Sequence, residues 1–172
     1  MLKLHSIPKG LGLFSPAFWL ASFFGSGLLR PASGTWGSLL AFILAIIILI
    51  EFNKLTLFIL SITLFFIGLW ASTKWLAHDT NKDPSAIVID EAAGLFLTLS
   101  LLPYSHQTST ASLTLLLGFG FFRLFDILKP WPVSYADKQL SGALGVMLDD
   151  ILAGLMAAGA SFLVLKGLIY VF

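Results

Sequence analysis

GVMLDDILAGLMAAG, residues 145–159, decides how this chain is read. Two adjacent carboxylates, Asp149 and Asp150, stand in an apolar run that continues to Val171. A run of that length can span the hydrocarbon core of a bilayer. Acids inside such a run are costly unless they pair, bind metal or face a watery cavity. Two more stretches repeat the pattern. IVIDEAAGLFLTL (87–99) holds Asp90 and Glu91, and GFFRLFDILKPWP (120–132) holds Arg123, Asp126 and Lys129. Five of the nine acids therefore lie within or at the mouths of long apolar segments.

The composition agrees. The 172 residues are 58% hydrophobic and 11% charged, with a mean hydropathy of +0.94, whereas a soluble domain carries roughly a quarter charged residues. The chain reads as a single all-α domain over residues 1–172, a polytopic membrane helical bundle. A formal net charge of +1 offers nothing to attract nucleic acid. The absence of cysteine excludes disulfides, a thiolate nucleophile and Cys-ligated metal.

Five runs are long enough to be transmembrane helices: Trp36–Ile50, Leu55–Leu76, Ile87–Leu102, Leu113–Leu128 and Leu148–Val171. The first is short and the third carries two acids, so four spans is the alternative. MLKLHSIPKGLGLFSPAFWLASFFGSG (1–27) has the lysines and short apolar run of a signal peptide. A Gly-rich loop and further spans follow it, so it reads as a retained short helix, interfacial or buried. Interior glycines (68, 94, 118, 120, 154 and 159) suit close helix packing. Asp90 and Asp150 each precede a glycine by four residues, which places acid and glycine on one helical face. Those two helices are expected to pack together.

Basic residues give the orientation. With the 77–86 loop inside, that side holds Lys3, Lys9, Arg30, Lys74, Lys82, Arg123, Lys129 and Lys138, and the other side keeps Lys54 and Lys166. The positive-inside rule makes the richer side cytoplasmic, and the uncharged PYSHQTST loop falls outside. Gly34–Ser38, Asp90 with Glu91, Arg123–Lys129, and Asp149 with Asp150 then share one membrane depth on the cytoplasmic face.

Clustered carboxylates are hard oxygen ligands suited to Mg²⁺, held through a few carboxylates, water and substrate phosphate. The histidines add little: His5 is near the terminus, His106 falls on the far side, and His78 alone lies near the cluster. Each acid also has a structural reading. Asp150 could sit at a helix N-terminus, Asp126 could pair with Arg123 three residues earlier, and Asp90 and Glu91 could cap a helix. Arg123, a bidentate fork, and Lys129, a flexible point charge, are both able to bind a phosphomonoester. GSGLLRPASGTWGS (25–38), with Ser33, Thr35 and Ser38, could cradle an anion at a helix N-terminus, although it has no GxxxxGK[ST] or GxGxxG pattern. KPWPVSYADK turns the chain at the membrane surface, with Trp131 and Tyr135 in the aromatic belt. Metal and basic groups together could neutralise a phosphoryl group under in-line attack by water, or else by an aspartate.

In these residues the chain resembles the phosphatidylglycerophosphatase A family of bacterial membrane lipid phosphatases. The matching elements are FGSGL (24–28) with GTWGS (34–38), IVIDEAAG (87–94), FRLFDILKPWP (122–132) and GVMLDDILAG (145–154). They occur in the family's order, and one departure is Ala143 in SGALG, where a second glycine is expected. The resemblance implies Mg²⁺-dependent hydrolysis of phosphatidylglycerophosphate to phosphatidylglycerol and inorganic phosphate, at the cytoplasmic face of the bacterial inner membrane. It implies ligand or catalytic roles for Asp90, Glu91, Asp126, Asp149 and Asp150 and substrate-phosphate contacts for Arg123, Lys129 and Thr35; within that set we read all five acids as metal ligands and Asp90, Asp126 and Asp150 as catalytic.

Other classes fit less well. RPASG lacks the histidine that follows PSG in histidine-dependent lipid phosphatases, and the DGxxAR…GxxxDxxxD pattern of CDP-alcohol phosphotransferases is absent. A small cation- or proton-coupled transporter using the same acids is the alternative function. It wants polar groups continuing across the membrane, and the outer halves here are almost wholly apolar.

Overall fold

Asn53 starts a 23-residue apolar helix: its side chain accepts a hydrogen bond from the Thr56 amide at 2.9 Å, as an N-cap does. In this computed structural model, describing residues 3–5, 8, 10–79, 84–103 and 110–171 with side chains up to 168, the elements are almost all helical. Two-residue strands β1 (Lys3–Leu4) and β2 (Leu29–Arg30) pair antiparallel. Around them come α1 (Pro16–Ala21), α2 (Ser33–Glu51), α3 (Lys54–Leu76), α4 (Ile89–Leu101), α5 (Ala111–Leu128), α6 (Val133–Gln139) and α7 (Ala143–Val171). The all-α membrane bundle read from the sequence is what the chain forms.

Among the described residues four helices, not five, are long and apolar enough to cross a membrane: Ser33–Glu51, Lys54–Leu76, Ala111–Leu128 and Ala143–Leu168. The third apolar run forms α4, whose 13 residues reach about 20 Å at 1.5 Å each, short of a hydrocarbon core of about 30 Å. Every residue from Ile89 to Ser100 except Glu91 is buried. Its uniform apolarity reflects protein on every side, since α2, α3, α5 and α7 all pack against it. Lys54, at the start of α3, donates to the Leu102 carbonyl at 3.2 Å, so α4 ends beside the beginning of α3 and runs antiparallel to it.

Two boundaries also differ from expectation. α2 begins at Ser33 rather than Trp36, and α7 begins at Ala143 rather than Leu148, which carries Asp149 and Asp150 beyond its first turn. The helix-terminus reading of Asp150 therefore does not apply. The N-terminal segment forms a short helix with Pro16 at its first position, where proline's missing N–H is harmless. Phe18 of α1 is fully buried and stacks on Trp75 of α3 at 5.7 Å. Lys9, Lys82, His106 and nearly all of the PYSHQTST loop lie outside the described residues.

The expected pairing of the two acid-bearing helices is present. A β-carbon on Gly94 would strike the Asp150 carbonyl, and one on Gly154 would strike the Gly94 carbonyl. Thr98 fastens the crossing by donating to Gly94 at 2.9 Å and lying 3.1 Å from the Gly154 carbonyl. Gly94→Ala is expected to destabilise the protein by about 1–3 kcal/mol, because backbone rather than a pliable side chain meets the added methyl. Gly120→Ala, where nothing lies within 4 Å of the added carbon, should leave the unfolding temperature in detergent unchanged or raise it. Equal temperatures for the two variants would refute the close-approach account.

Candidate active site

Four separate segments deliver the candidate residues to one end of the bundle. Thr35 and Ser38 stand in the first turns of α2, Asp90 and Glu91 in the first turn of α4, and Arg123 and Asp126 near the end of α5. Asp149 and Asp150 come from the second turn of α7. Lys129 ends α5 in a left-handed conformation, φ 44°. That conformation is uncommon for a side chain with a β-carbon, and the following Pro130 disfavours continuing the helix.

The charged groups divide into two ion-paired sets. In the first, Arg123 Nη1 lies 2.5 Å from Asp126 Oδ2 and 3.4 Å from Glu91 Oε1, and donates to Ser38 Oγ at 3.0 Å. Ser38 in turn donates to Glu91 Oε2 at 2.7 Å, and Arg123 Nη2 reaches Thr35 Oγ1 at 3.5 Å. The local Arg123–Asp126 pair thus exists and is extended onto two other helices. Gly34 makes room for this set, since a β-carbon there would run into the Glu91 carboxylate.

In the second set, Lys129 donates to Asp149 Oδ2 at 2.8 Å and to Asp137 of α6. Burial opposes its charge, but those hydrogen bonds and the two carboxylate charges outweigh burial and hold its pKa above the ordinary lysine value. Lys129 is a cation at every physiological pH.

Asp90 and Asp150 belong to neither set: among the described residues neither forms an ion pair. Asp90 Oδ1 accepts from the Glu91 amide at 2.9 Å. Asp149 Oδ1 accepts in the same way from the Asp150 amide at 3.0 Å. Both unpaired acids are buried in the protein, and both line a cavity of about 640 Å³ together with Glu91, Asp126, Asp149 and Lys129. Arg123 and Thr35 are not among the lining residues. Arg123 instead braces the carboxylates from behind.

Among the described residues no three His, Cys, Asp or Glu side chains form a ready-made metal cage. The donor set is all oxygen, however, and Mg²⁺ commonly keeps several waters and takes only one or two carboxylates plus phosphate. The chemistry of these residues fits that ion. Sequence reasoning did not single out Asp137, or Ser38 as a bridge. Both were legible as polar residues inside quoted motifs, but their partners lie 8 and 53 residues away.

Comparison with known proteins bears on this arrangement. A family profile described as phosphatidylglycerophosphatase A matches residues 19–165. The chain belongs to that family. It is 39% identical over 149 residues to "Phosphatidylglycerophosphatase A" of Haemophilus influenzae, covering 87% of this chain and 88% of the relative. It is 36% identical over 159 residues to the Escherichia coli protein of the same name, covering 90% and 86%. A Bacteroides thetaiotaomicron protein named "Putative phosphatidylinositol-3-phosphatase" is 38% identical over 135 residues, covering 76% of this chain and 82% of the relative. No solved structure matches.

Ser38→Ala would leave a buried carboxylate oxygen and a guanidinium N–H each one bond short. A loss of about 1–3 kcal/mol is expected, measured as a lowered unfolding temperature in detergent. An unchanged temperature would show that the bridge contributes nothing to the packing of α2 against α4 and α5.

Proposed function

We propose that the protein removes the terminal phosphate of phosphatidylglycerophosphate, in a Mg²⁺-dependent hydrolysis at the cytoplasmic face of the bacterial inner membrane. The observation that carries this reading is a carboxylate-lined cavity at one end of a membrane bundle, with a permanently charged lysine in its wall. Family membership supplies the lipid. The richer positive charge on the cavity's side supports its cytoplasmic placement.

In this reading Lys129 attracts the terminal phosphate, while Asp137 and Asp149 hold its ammonium in place. Arg123 fixes Glu91 and Asp126 and sets the shape of the acid wall. Asp90, Asp126 and Asp150, flanked by Glu91 and Asp149, are the oxygens to hold Mg²⁺. When bound, the ion supplies Lewis acidity toward the phosphoryl oxygens. Water attacks phosphorus in line, the P–O bond to the glycerol breaks, and the glycerol oxygen takes up the proton given up by the water and ends as a hydroxyl. Asp90 and Asp150 are the carboxylates free of a cationic partner among the described residues, so one of them is placed to take the water's proton. Their roles differ from those of Asp126 and Asp149, which are tied to Arg123 and Lys129.

Purified protein in detergent should release inorganic phosphate from phosphatidylglycerophosphate with Mg²⁺ and stop when the metal is chelated. Asp90→Asn and Asp150→Asn should each lower kcat by about 10²–10⁴-fold, the usual worth of a positioned acid or base. Metal-independent release, or full activity in both variants, would overturn the mechanism. Phosphatidylinositol 3-phosphate is the comparison substrate, and faster release from it would replace glycerol by inositol in this reading. Orientation has its own test, because the chain has no cysteine. In intact cells a membrane-impermeant maleimide should label Phe52→Cys but not Gln139→Cys, and the reverse pattern would put the site outside.

A further inference from the structure

Among the described residues seven carboxyl groups line the cavity, and two lysines face them. Lys129 is committed to Asp137 and Asp149. The other, Lys138, lines the same cavity from the exposed side of α6. Among the described residues no side-chain hydrogen bond or ion pair engages its ammonium. An uncommitted cation beside a concentration of acids is placed to meet an incoming anion rather than to stabilise the fold.

The substrate proposed above carries two anions. One is the terminal monoester, and the other is the diester phosphate joining the head group to the diacylglycerol. A three-carbon glycerol separates them, so a cavity of about 640 Å³ has room for both. The diester must also lie nearer the membrane surface, since it carries the acyl chains. α6 meets that requirement: Trp131 just before it and Tyr135 within it expose their rings, as aromatic residues do at the membrane–water boundary.

We propose that Lys138 binds the diester phosphate of the substrate, while Lys129 and the acid cluster receive the terminal phosphate. The assignment rests on the function proposed above. It makes Lys138 a specificity residue that selects a head group bearing two phosphates, without taking part in bond breaking. The competing seat is a separate cavity of about 270 Å³ lined by His5 and Arg30, which shares only Asp79 and Ser85 with the larger one. That smaller space holds none of Asp90, Glu91, Asp126, Asp149 and Asp150, so an anion there would sit apart from the seat of the terminal phosphate.

The test is steady-state phosphate release in neutral detergent with Mg²⁺, which removes other anionic lipids. Lys138→Gln should raise KM for phosphatidylglycerophosphate about tenfold, the worth of one charge-assisted contact, with kcat unchanged. Lys138→Arg should restore KM. Phosphatidylglycerol, which keeps only the diester phosphate, should inhibit Lys138→Gln about tenfold less well, whereas inhibition by inorganic phosphate should not change. Arg30→Gln should match the unsubstituted protein throughout. An unchanged KM in Lys138→Gln, an equal loss of inhibition by both products, or an effect that appears in Arg30→Gln instead would overturn the assignment. If the unsubstituted protein releases no phosphate, the proposed function itself fails, and the assignment falls with it.

Discussion

The backbones of α4 and α7 touch, and the position of the acids follows from that contact. Gly94 and Gly154 leave no side chain between the helices, so carbonyl and α-carbon meet directly. Small residues serve this purpose where no hydrophobic force distinguishes helix from lipid. Asp90 and Asp150 each stand four residues earlier, about 6 Å along the axis, and leave the crossing on the same side. A wider crossing would move the two unpaired carboxylates apart and open the cavity between them. Ser61 of α3 adds a third strut by donating to the Ala93 carbonyl at 2.8 Å.

Burial of many carboxylates in one place needs compensation, and the two cations supply it unequally. Arg123, a planar fork with several donors, satisfies Asp126, Glu91 and Ser38 together from outside the cavity. Lys129 satisfies Asp149 and Asp137 from its wall. Asp90 and Asp150 remain, so the cluster is a neutralised frame around two uncompensated acids. A scaffold under no demand but stability would not leave two buried acids in that state. The division also narrows the chemistry, because an acid fixed by arginine is poorly suited to accept a proton, while an unpaired one is well suited.

The sequence made much of this legible. Composition established the membrane class, because 11% charged residues leave no soluble alternative. The acid-to-glycine spacing in IDEAAG and DDILAG foretold the α4–α7 crossing, since a four-residue step is one helical face whatever the surroundings. The number of spans was not legible, because a helix wrapped by protein is as apolar as one wrapped by lipid; only length separates them, and 13 residues sits at the ambiguous end. The start of α7 was hidden in the same way. Ala143, Leu144 and Gly145 follow a loop and carry no capping signal, so the apolar run reads as starting at Leu148. The bridging role of Ser38 could not be read at all, because a serine's hydrogen-bond partners 53 and 85 residues away leave no mark on its neighbours.

The shortness of α4 explains why the N-terminal segment belongs to the site and does not merely anchor the chain. A helix enclosed by others need not match the bilayer, so α4 can begin at Ile89 with residues 84–88 non-helical in front of it, turned at Ser85–Ala86. Beyond the turn bond from the Ile87 amide to the Pro84 carbonyl, that piece has backbone donors and acceptors to satisfy within the protein. The N-terminal elements satisfy them. The Val88 amide donates to the Ala21 carbonyl at 2.9 Å, and Ser33 donates through its hydroxyl to the Ser85 carbonyl. Gly27 lies so close to the Ala86 carbonyl that no β-carbon would fit. Ser85 and Ile87 are themselves cavity residues, so α1 and the turn after it hold one wall of the cavity and the approach to Asp90. The FGSGL element is therefore coupled to the acids through backbone, with no charged residue of its own.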